Sequence, residues 1–406
     1  MFEHLIAIRP LGLLYGSAGR FLSPENLVGR SGTHFPPTAA TLSGIFAHRY
    51  SEGLKQPERL KDLRDLQVAG PFWGWQSNPQ DFCVPAPLTL LAKFKPTLEE
   101  TNIPEATIQD RLTWHQQNET GIRWLNSSGE PPEDKFSSGT WVKLSQWKTV
   151  ASGRLEAIKQ VTTYGEPWQF VPHLHPYLLP HERRVDTDRE RGSLFLENGV
   201  QLHPETCLVY LSNLELPSGW YRFGGEGHMV ELTCEPLSNT VKQLLETQIE
   251  RSFALITPAV WGSNRLSYPH PKELRKGDKQ RHTLPEVDSD LSNQWQIDGL
   301  LTQRPTPFRY RLGNQDSHET QETGNQTPNP AESAAAGKDK RKKSYPKRLS
   351  RGRYAVPAGS VYVLKGAFEE KHSTWNQWPE AWFPQEGPSL KRWGCGLALP
   401  LKSAIA

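Results

Sequence analysis

Cysteine is scarce in this chain: four in 406 residues, Cys83, Cys207, Cys234 and Cys395, far apart and with no CxxC pair. That argues against a disulfide framework or a thiolate zinc site and fits free thiols in a reducing compartment. Long apolar runs are also missing, and nothing approaches the ~18 residues of a membrane helix. The opening MFEHLIAIRPLG carries Glu3, Arg9 and Pro10 where a secretory leader needs a basic then an unbroken apolar segment, so a cytoplasmic location is expected. Nucleotide and hydrolase signatures are absent too. The glycine loop Gly224-Gly225-Glu226-Gly227 is followed by no lysine, and Val230 stands where a dinucleotide fingerprint needs its third glycine. Gly16-Ser17-Ala18-Gly19 has the wrong spacing for a GxSxG elbow. With no Cys/His or paired-carboxylate arrangement either, spacing shows no catalytic signature. The expectation is a protein that is not an enzyme and carries no cofactor.

Charge of one sign is lacking overall, at a formal +3, but not locally. The run Lys338 to Arg353, KDKRKKSYPKRLSRGR, holds nine bases and one acid, which leaves the rest of the chain acidic. Any basic groove must therefore be built from particular residues. What the chain has in quantity is turn chemistry and indole: 32 glycines, 34 prolines and 14 tryptophans. The first two predict many turns and few long helices. The third offers core packing, stacking platforms and interface anchors.

Along the chain, His4–Arg9 reads as a first strand, and Thr38 opens a helix through Tyr50 with Ala39, Leu42, Ile45, Phe46 and Ala47 at helical spacing. Leu66–Trp75 and Phe82–Leu91, joined by SNPQD, read as a hairpin. From about 95 to 190 the chain reads as an irregular, proline-rich insertion with one strand candidate, Thr140–Trp147. Strands return at Ser193–Glu197 and Cys207–Leu211, separated by Asn198-Gly199. Leu237–Arg251 is the clearest helix of the second half, followed by a buried strand at Phe253–Val260. Residues 313–350 read as a disordered insertion that turns basic at its end. Tyr354–Leu364 reads as strand, turn, strand, and RWGCGLAL (392–399) as a glycine-rich strand. Each half thus carries a strand, a helix, further strands and a glycine-rich turn, which suggests two similar α+β units divided as 1–235 and 236–406.

Two readings of the motif WYRFGGEGHMVEL (220–232) stand side by side: a tight turn between strands, or a backbone cradle for phosphate. His173, His175 and His181 raise the question of a metal site, but two prolines make their neighbourhood a loop, and no metal is expected. The basic run could meet phosphate, and within it Arg351 and Arg353 abut a predicted strand and are better placed to be ordered.

Several stretches taken in order form a pattern. Leu14-Tyr15-Gly16-Ser17-Ala18-Gly19-Arg20-Phe21 follows the first strand, and Pro36-Pro37-Thr38-Ala39-Ala40-Thr41-Leu42-Ser43-Gly44 opens the helix. Gly70-Pro71-Phe72-Trp73 precedes Val84-Pro85-Ala86-Pro87-Leu88. Gly224-Gly225-Glu226-Gly227, Leu255-Ile256-Thr257-Pro258-Ala259 and Val356-Pro357-Ala358-Gly359-Ser360-Val361-Tyr362 complete the set. The ordered set resembles the RAMP subunits of CRISPR effector complexes, and within them the third subunits of the Cmr, or type III-B, complex that cap the guide's 5′ handle.

The resemblance implies two ferredoxin-like, RRM-like RAMP domains and a non-catalytic role in antiviral defence. Its implied partners are CRISPR RNA at the 5′ handle, the large cyclase-like subunit and a backbone RAMP subunit, with target RNA reached indirectly and no membrane. The residues it places near RNA or a neighbouring subunit are Arg20, Ser43, Gly44, Arg49, Arg222, Gly224, Gly225, Gly227, His228 and Arg265, together with Arg351 and Arg353 of the basic run. Two departures bear on the site. Relatives commonly place an acid before Gly-Arg, where Ser17-Ala18 stand here. They often place arginine after Gly-Gly-Glu-Gly, where this chain has His228, a weaker and pH-sensitive phosphate contact. A rival reading is a RAMP endoribonuclease that processes the precursor transcript, with His34 or His48 as general acid or base.

Overall fold

The computed structural model describes residues 1–14, 35–52, 63–96, 102–116, 123–152, 154–176, 179, 184–185, 194–224, 227–262, 267–271, 295–310, 350–386 and 388–406. Ten strands form one antiparallel sheet. In chain order they are β1 (His4–Pro10), β2 (Val68–Trp75), β3 (Cys83–Pro85), β4 (Leu90–Phe94), β5 (Glu105–Arg111), β6 (Trp141–Lys143), β7 (Thr162–Tyr164), β8 (Thr206–Ser212), β9 (Gly219–Phe223) and β10 (His228–Pro236). Across the sheet they lie β9-β10-β1-β8-β2-β3-β6-β7-β5-β4. A second antiparallel sheet holds β11 (Ser252–Leu255), β12 (Ile297–Leu301), β13 (Val361–Leu364) and β14 (Ala398–Pro400), ordered β12-β13-β11-β14.

The central strands show why the first sheet forms where it does. In β1 the run Leu5–Ile8 is buried on both faces, and all seven residues of β8 are buried. Such apolar runs belong to strands covered on both sides. Helix α1 (Ala39–Glu52) covers one face. Its Ala39, Leu42, Ile45 and Phe46 pack with Ile6, Ile8, Leu208, Tyr210 and Leu232, as a 3.6-residue period requires. The Tyr210 hydroxyl donates to the Pro37 carbonyl at 2.6 Å and ties the helix entry to β8. The opposite face, with Leu5, Ala7, Ala69, Phe72 and Val209, joins a core continuous with Phe253, Leu255 and Leu399 of the second sheet. Polar groups stitch the same junction: Trp147 Nε1 donates to the Pro400 carbonyl at 3.1 Å, and the Leu88 amide to the Gly359 carbonyl at 2.8 Å.

Several expectations change. The 95–190 segment, which lies between β2 and β8, is less irregular than expected, because β5, β6 and β7 from it pair into the main sheet. Of these, β6 falls within the expected strand Thr140–Trp147, while β5 and β7, seven and three residues long, were not read from the sequence. His173 and His175 lie in a nine-residue strand, Trp168–Pro176, paired with Leu194–Leu202, and Asn198-Gly199 sit inside that partner strand instead of breaking it. The second-half helix α2 is confined to Asn239–Leu245, with the Ser238 hydroxyl accepting from the Val241 amide. Beyond it the chain turns so that the Ile249 amide donates to Ser373 O at 2.6 Å. RWGCGLAL is mostly turn: a 3-10 helix at Leu390–Trp393, then Gly394 and Gly396 at positive φ, before β14 begins. The stretch 313–349 lies outside the described residues.

The four cysteines are free thiols, three buried and Cys234 half-buried. Burial pushes the Cys207 and Cys395 thiols up to about 12, which keeps them protonated and inert. No helix among the described residues is long and apolar enough to cross a membrane.

Candidate nucleic-acid interface

The glycine motif is a hairpin at one edge of the large sheet. Strands β9 and β10 pair with Phe223 opposite His228, Arg222 opposite Met229 and Trp220 opposite Glu231. The turn is held by the Gly227 amide donating to Gly224 O at 3.3 Å, and both glycines take positive φ, 77° and 72°. A pleated strand sends alternate residues to opposite faces. Tyr221, Phe223, Val230 and Leu232 accordingly join the core under α1. Trp220, Arg222 and Met229 face solvent, with Trp220 72% exposed. The Arg222 stem lies beside Gly227, where an added Cβ would stand 3.6 Å from Arg222 Cδ. His228 is half-buried at the start of β10, and Gly225 lies outside the described residues.

Of fourteen tryptophans, nine are buried and four half-buried; Trp220 is the exposed one. Composition announced an excess of indole but carried no signal to separate this ring from those in the core. Helix α1 shares the hairpin's core, so its outer side flanks the same edge. There Gly44, His48 and Arg49 are exposed, while the Ser43 hydroxyl donates to Ala40 O at 2.7 Å. The basic-run candidates sit elsewhere, in the second half. Arg353 is buried at 3% exposure, with Nη2 2.7 Å from the Glu386 carboxylate and Nη1 donating to Arg351 O. That contradicts an outward, phosphate-facing role for Arg353. The side chain of Arg351 is exposed, and its amide donates to Glu386 at 3.1 Å. Arg20, Arg265, His34 and His181 lie outside the described residues. Among the described residues no group of three or more His, Cys, Asp or Glu side chains could hold a metal ion.

The first sheet does not present an open RRM-like face. An RRM-like surface needs the face opposite the helices to be free, and here its centre is buried against the second half. Where the halves meet there is instead a cavity of about 270 Å³. Its lining joins Phe35 to Ala40 at the α1 entry, the cis pair Gly70-Pro71, Pro85 and Trp141 with Ile256 to Pro258, Phe308, Ala358 and Trp393 to Cys395. Five of the seven stretches that carry the resemblance meet on it. Its walls are knitted: Thr257 Oγ1 donates to Gly394 O at 2.5 Å, and the Val260 amide donates to Cys395 Sγ at 3.0 Å. Glu166 reaches the lining with a carboxyl pushed up by desolvation, partly offset by a hydrogen bond from Trp168. No single stretch of the chain hints at this cavity, because its parts are spread over some 360 positions.

Comparison with curated proteins gives no match. Among solved structures, a chain of the cryo-EM structure of the type III-B Cmr-beta bound to cognate target RNA is similar at TM-score 0.38 and 11% identity, covering 88% of this chain and 86% of that one. A chain of the same assembly bound to cognate target RNA and AMPPnP, state 1, is similar at TM-score 0.39 and 10% identity, with the same coverage. The family model for the CRISPR-associated protein Cas_Cmr3 matches residues 21–403. Nearly the whole of this sequence is thus accounted for by one model, and the chain belongs to the Cas_Cmr3 family of CRISPR-associated proteins.

Proposed function

We propose that this chain is a non-catalytic, cytoplasmic RNA-binding subunit of a type III-B CRISPR effector complex. In this reading it caps the 5′ repeat-derived handle of CRISPR RNA and joins the large cyclase-like subunit to a backbone RAMP subunit. The observation that carries it is the edge hairpin. An exposed indole and an exposed guanidinium stand two residues apart on one strand face, beside a glycine turn whose backbone a phosphate can approach. Single-stranded RNA is bound by such combinations of stacking and charge.

The topology supports two ferredoxin-like units divided near residue 235. Strands β10-β1-β8-β2, with α1 between β1 and β2, follow the antiparallel order 4-1-3-2, and β14-β11-β13-β12 repeat it. In the first unit the β9 strand stands where a second helix would cross. The test is retention of RNA by the purified chain or its complex. Handle-bearing RNA is expected to be held better than handle-deleted RNA and to emerge uncut after incubation. Equal retention overturns the handle, and cleavage lost on substitution of His48 overturns the non-catalytic role.

A further inference from the structure

We propose that the cavity between the halves is a recess for one extruded nucleobase, and that Glu166 at its lining makes that base guanine. This rests on the RNA-binding reading above and names a contact that reading does not contain.

The volume is the first argument. About 270 Å³ lies just under the range of drug-sized clefts, so it suits one flat heterocycle with part of its sugar. The walls are the second. Phe35, Trp141, Phe308 and Trp393 bring four aromatic rings to the lining. Three of them pack on further rings: Phe35 and Trp141 each meet Trp168 edge-on, at 5.1 and 6.2 Å, and Trp393 meets Tyr310 at 4.4 Å. Unpaired bases are recognised by aromatic stacking plus hydrogen bonds to their edges.

The third argument is the acceptor. An ionised carboxylate has about four lone-pair sites and no donor. Guanine alone offers two neighbouring donors, N1–H and the N2 amine, on its pairing edge. Adenine and cytosine set a ring acceptor beside their amine, and uracil flanks its one N–H with carbonyls, so each would turn a lone pair toward Glu166.

The experiment uses the full chain, calorimetric titration with GMP, IMP and AMP, and handle RNA scanned with inosine for guanine. Inosine lacks only the N2 amine. GMP is expected to bind about tenfold or more tighter than IMP, as loss of one hydrogen bond to a charged group implies. Glu166→Gln is expected to erase that difference, and Phe308→Ala to weaken GMP and IMP alike. One guanine position in the RNA is expected to show the same inosine penalty. GMP, IMP and AMP binding equally, or none binding, overturns the recess. So does a GMP preference that survives Glu166→Gln. If RNA is held tightly while no inosine position matters, the recess fails and the RNA reading stands. If GMP is preferred while no RNA is retained, the recess stands and the RNA reading falls.

Discussion

Gly394→Ala tests how the two halves are joined. Gly394 closes the 3-10 helix Leu390–Trp393 at φ 67°, ψ 17°. A side chain in that left-handed region costs roughly 1–2 kcal/mol. The larger effect is steric, because an added Cβ would sit 2.4 Å from Ala69 Cβ and 2.5 Å from Ala69 Cα. Carbon atoms rest at about 3.5–4.0 Å, so one chain must retreat by more than 1 Å. Ala69 cannot supply that, since it lies in β2 between β8 and β3 and is fully buried. Overpacking of this kind adds about 1–3 kcal/mol, for a total of about 2–5 kcal/mol. Gly129→Ala is the control: its φ is 77°, and no atom lies within 4 Å of the added Cβ, so it bears the backbone cost alone. Urea denaturation is expected to place Gly394→Ala below Gly129→Ala by about 1–3 kcal/mol, the steric part. Ala69→Gly, which removes the nearer atom, should return part of the loss. Equal losses in the two glycine variants would refute the close approach of the halves.

Three further outcomes are expected. Arg353→Met leaves the Glu386 carboxylate without its buried partner and should cost about 3 kcal/mol in urea denaturation, while adding Glu386→Leu should recover much of it; a neutral single variant would refute the pairing. Burial pushes the Lys391 ammonium down from 10.5 to about 8, so between those values the unfolded chain binds more protons and stability rises with pH. Urea midpoints at pH 7.5 and 9.5 should show wild type gaining on Lys391→Met by an amount on the order of 1–3 kcal/mol, because two carbonyl hydrogen bonds favour the charged form against the full linkage value. Arg222→Ala should weaken RNA binding evenly across sequences and lower the salt slope by about 0.7, measured by filter retention at several salt concentrations. An unchanged slope would remove Arg222 from the phosphate contacts.

The elements that were readable share a physical trait: their signal is local. The α1 helix declared itself through five apolar residues at helical spacing, and β1 and β8 through unbroken apolar runs. The glycine motif was narrowed to two readings; the structure makes it a strand-to-strand turn, and the phosphate-cradle reading is carried into the proposal. Where reading failed, the deciding contacts were distant. Strand β7 is three residues long and exists because sheet neighbours supply its hydrogen bonds. The helix expected over Leu237–Arg251 stops at Leu245, and the Ile249 amide is taken by Ser373, more than a hundred positions away. Arg353 looked outward by its place in a basic run, but the carboxylate that holds it is Glu386.

Order along the chain was sufficient for the family, since motif spacing survives any uncertainty about packing. Backbone chemistry was likewise sufficient for the turns and for the expectation of free thiols. The exposure of Trp220, the burial of Arg353 and the cavity with Glu166 on its lining came only with the folded chain. Each is a property of surfaces brought together from remote segments, and burial is decided by what lies opposite a residue in space. The motifs at 36–44, 70–73, 84–88, 255–259 and 356–362 could be listed in order without any sign that they share a wall. Folding the two sheets against each other put them on the same 270 Å³ of empty space.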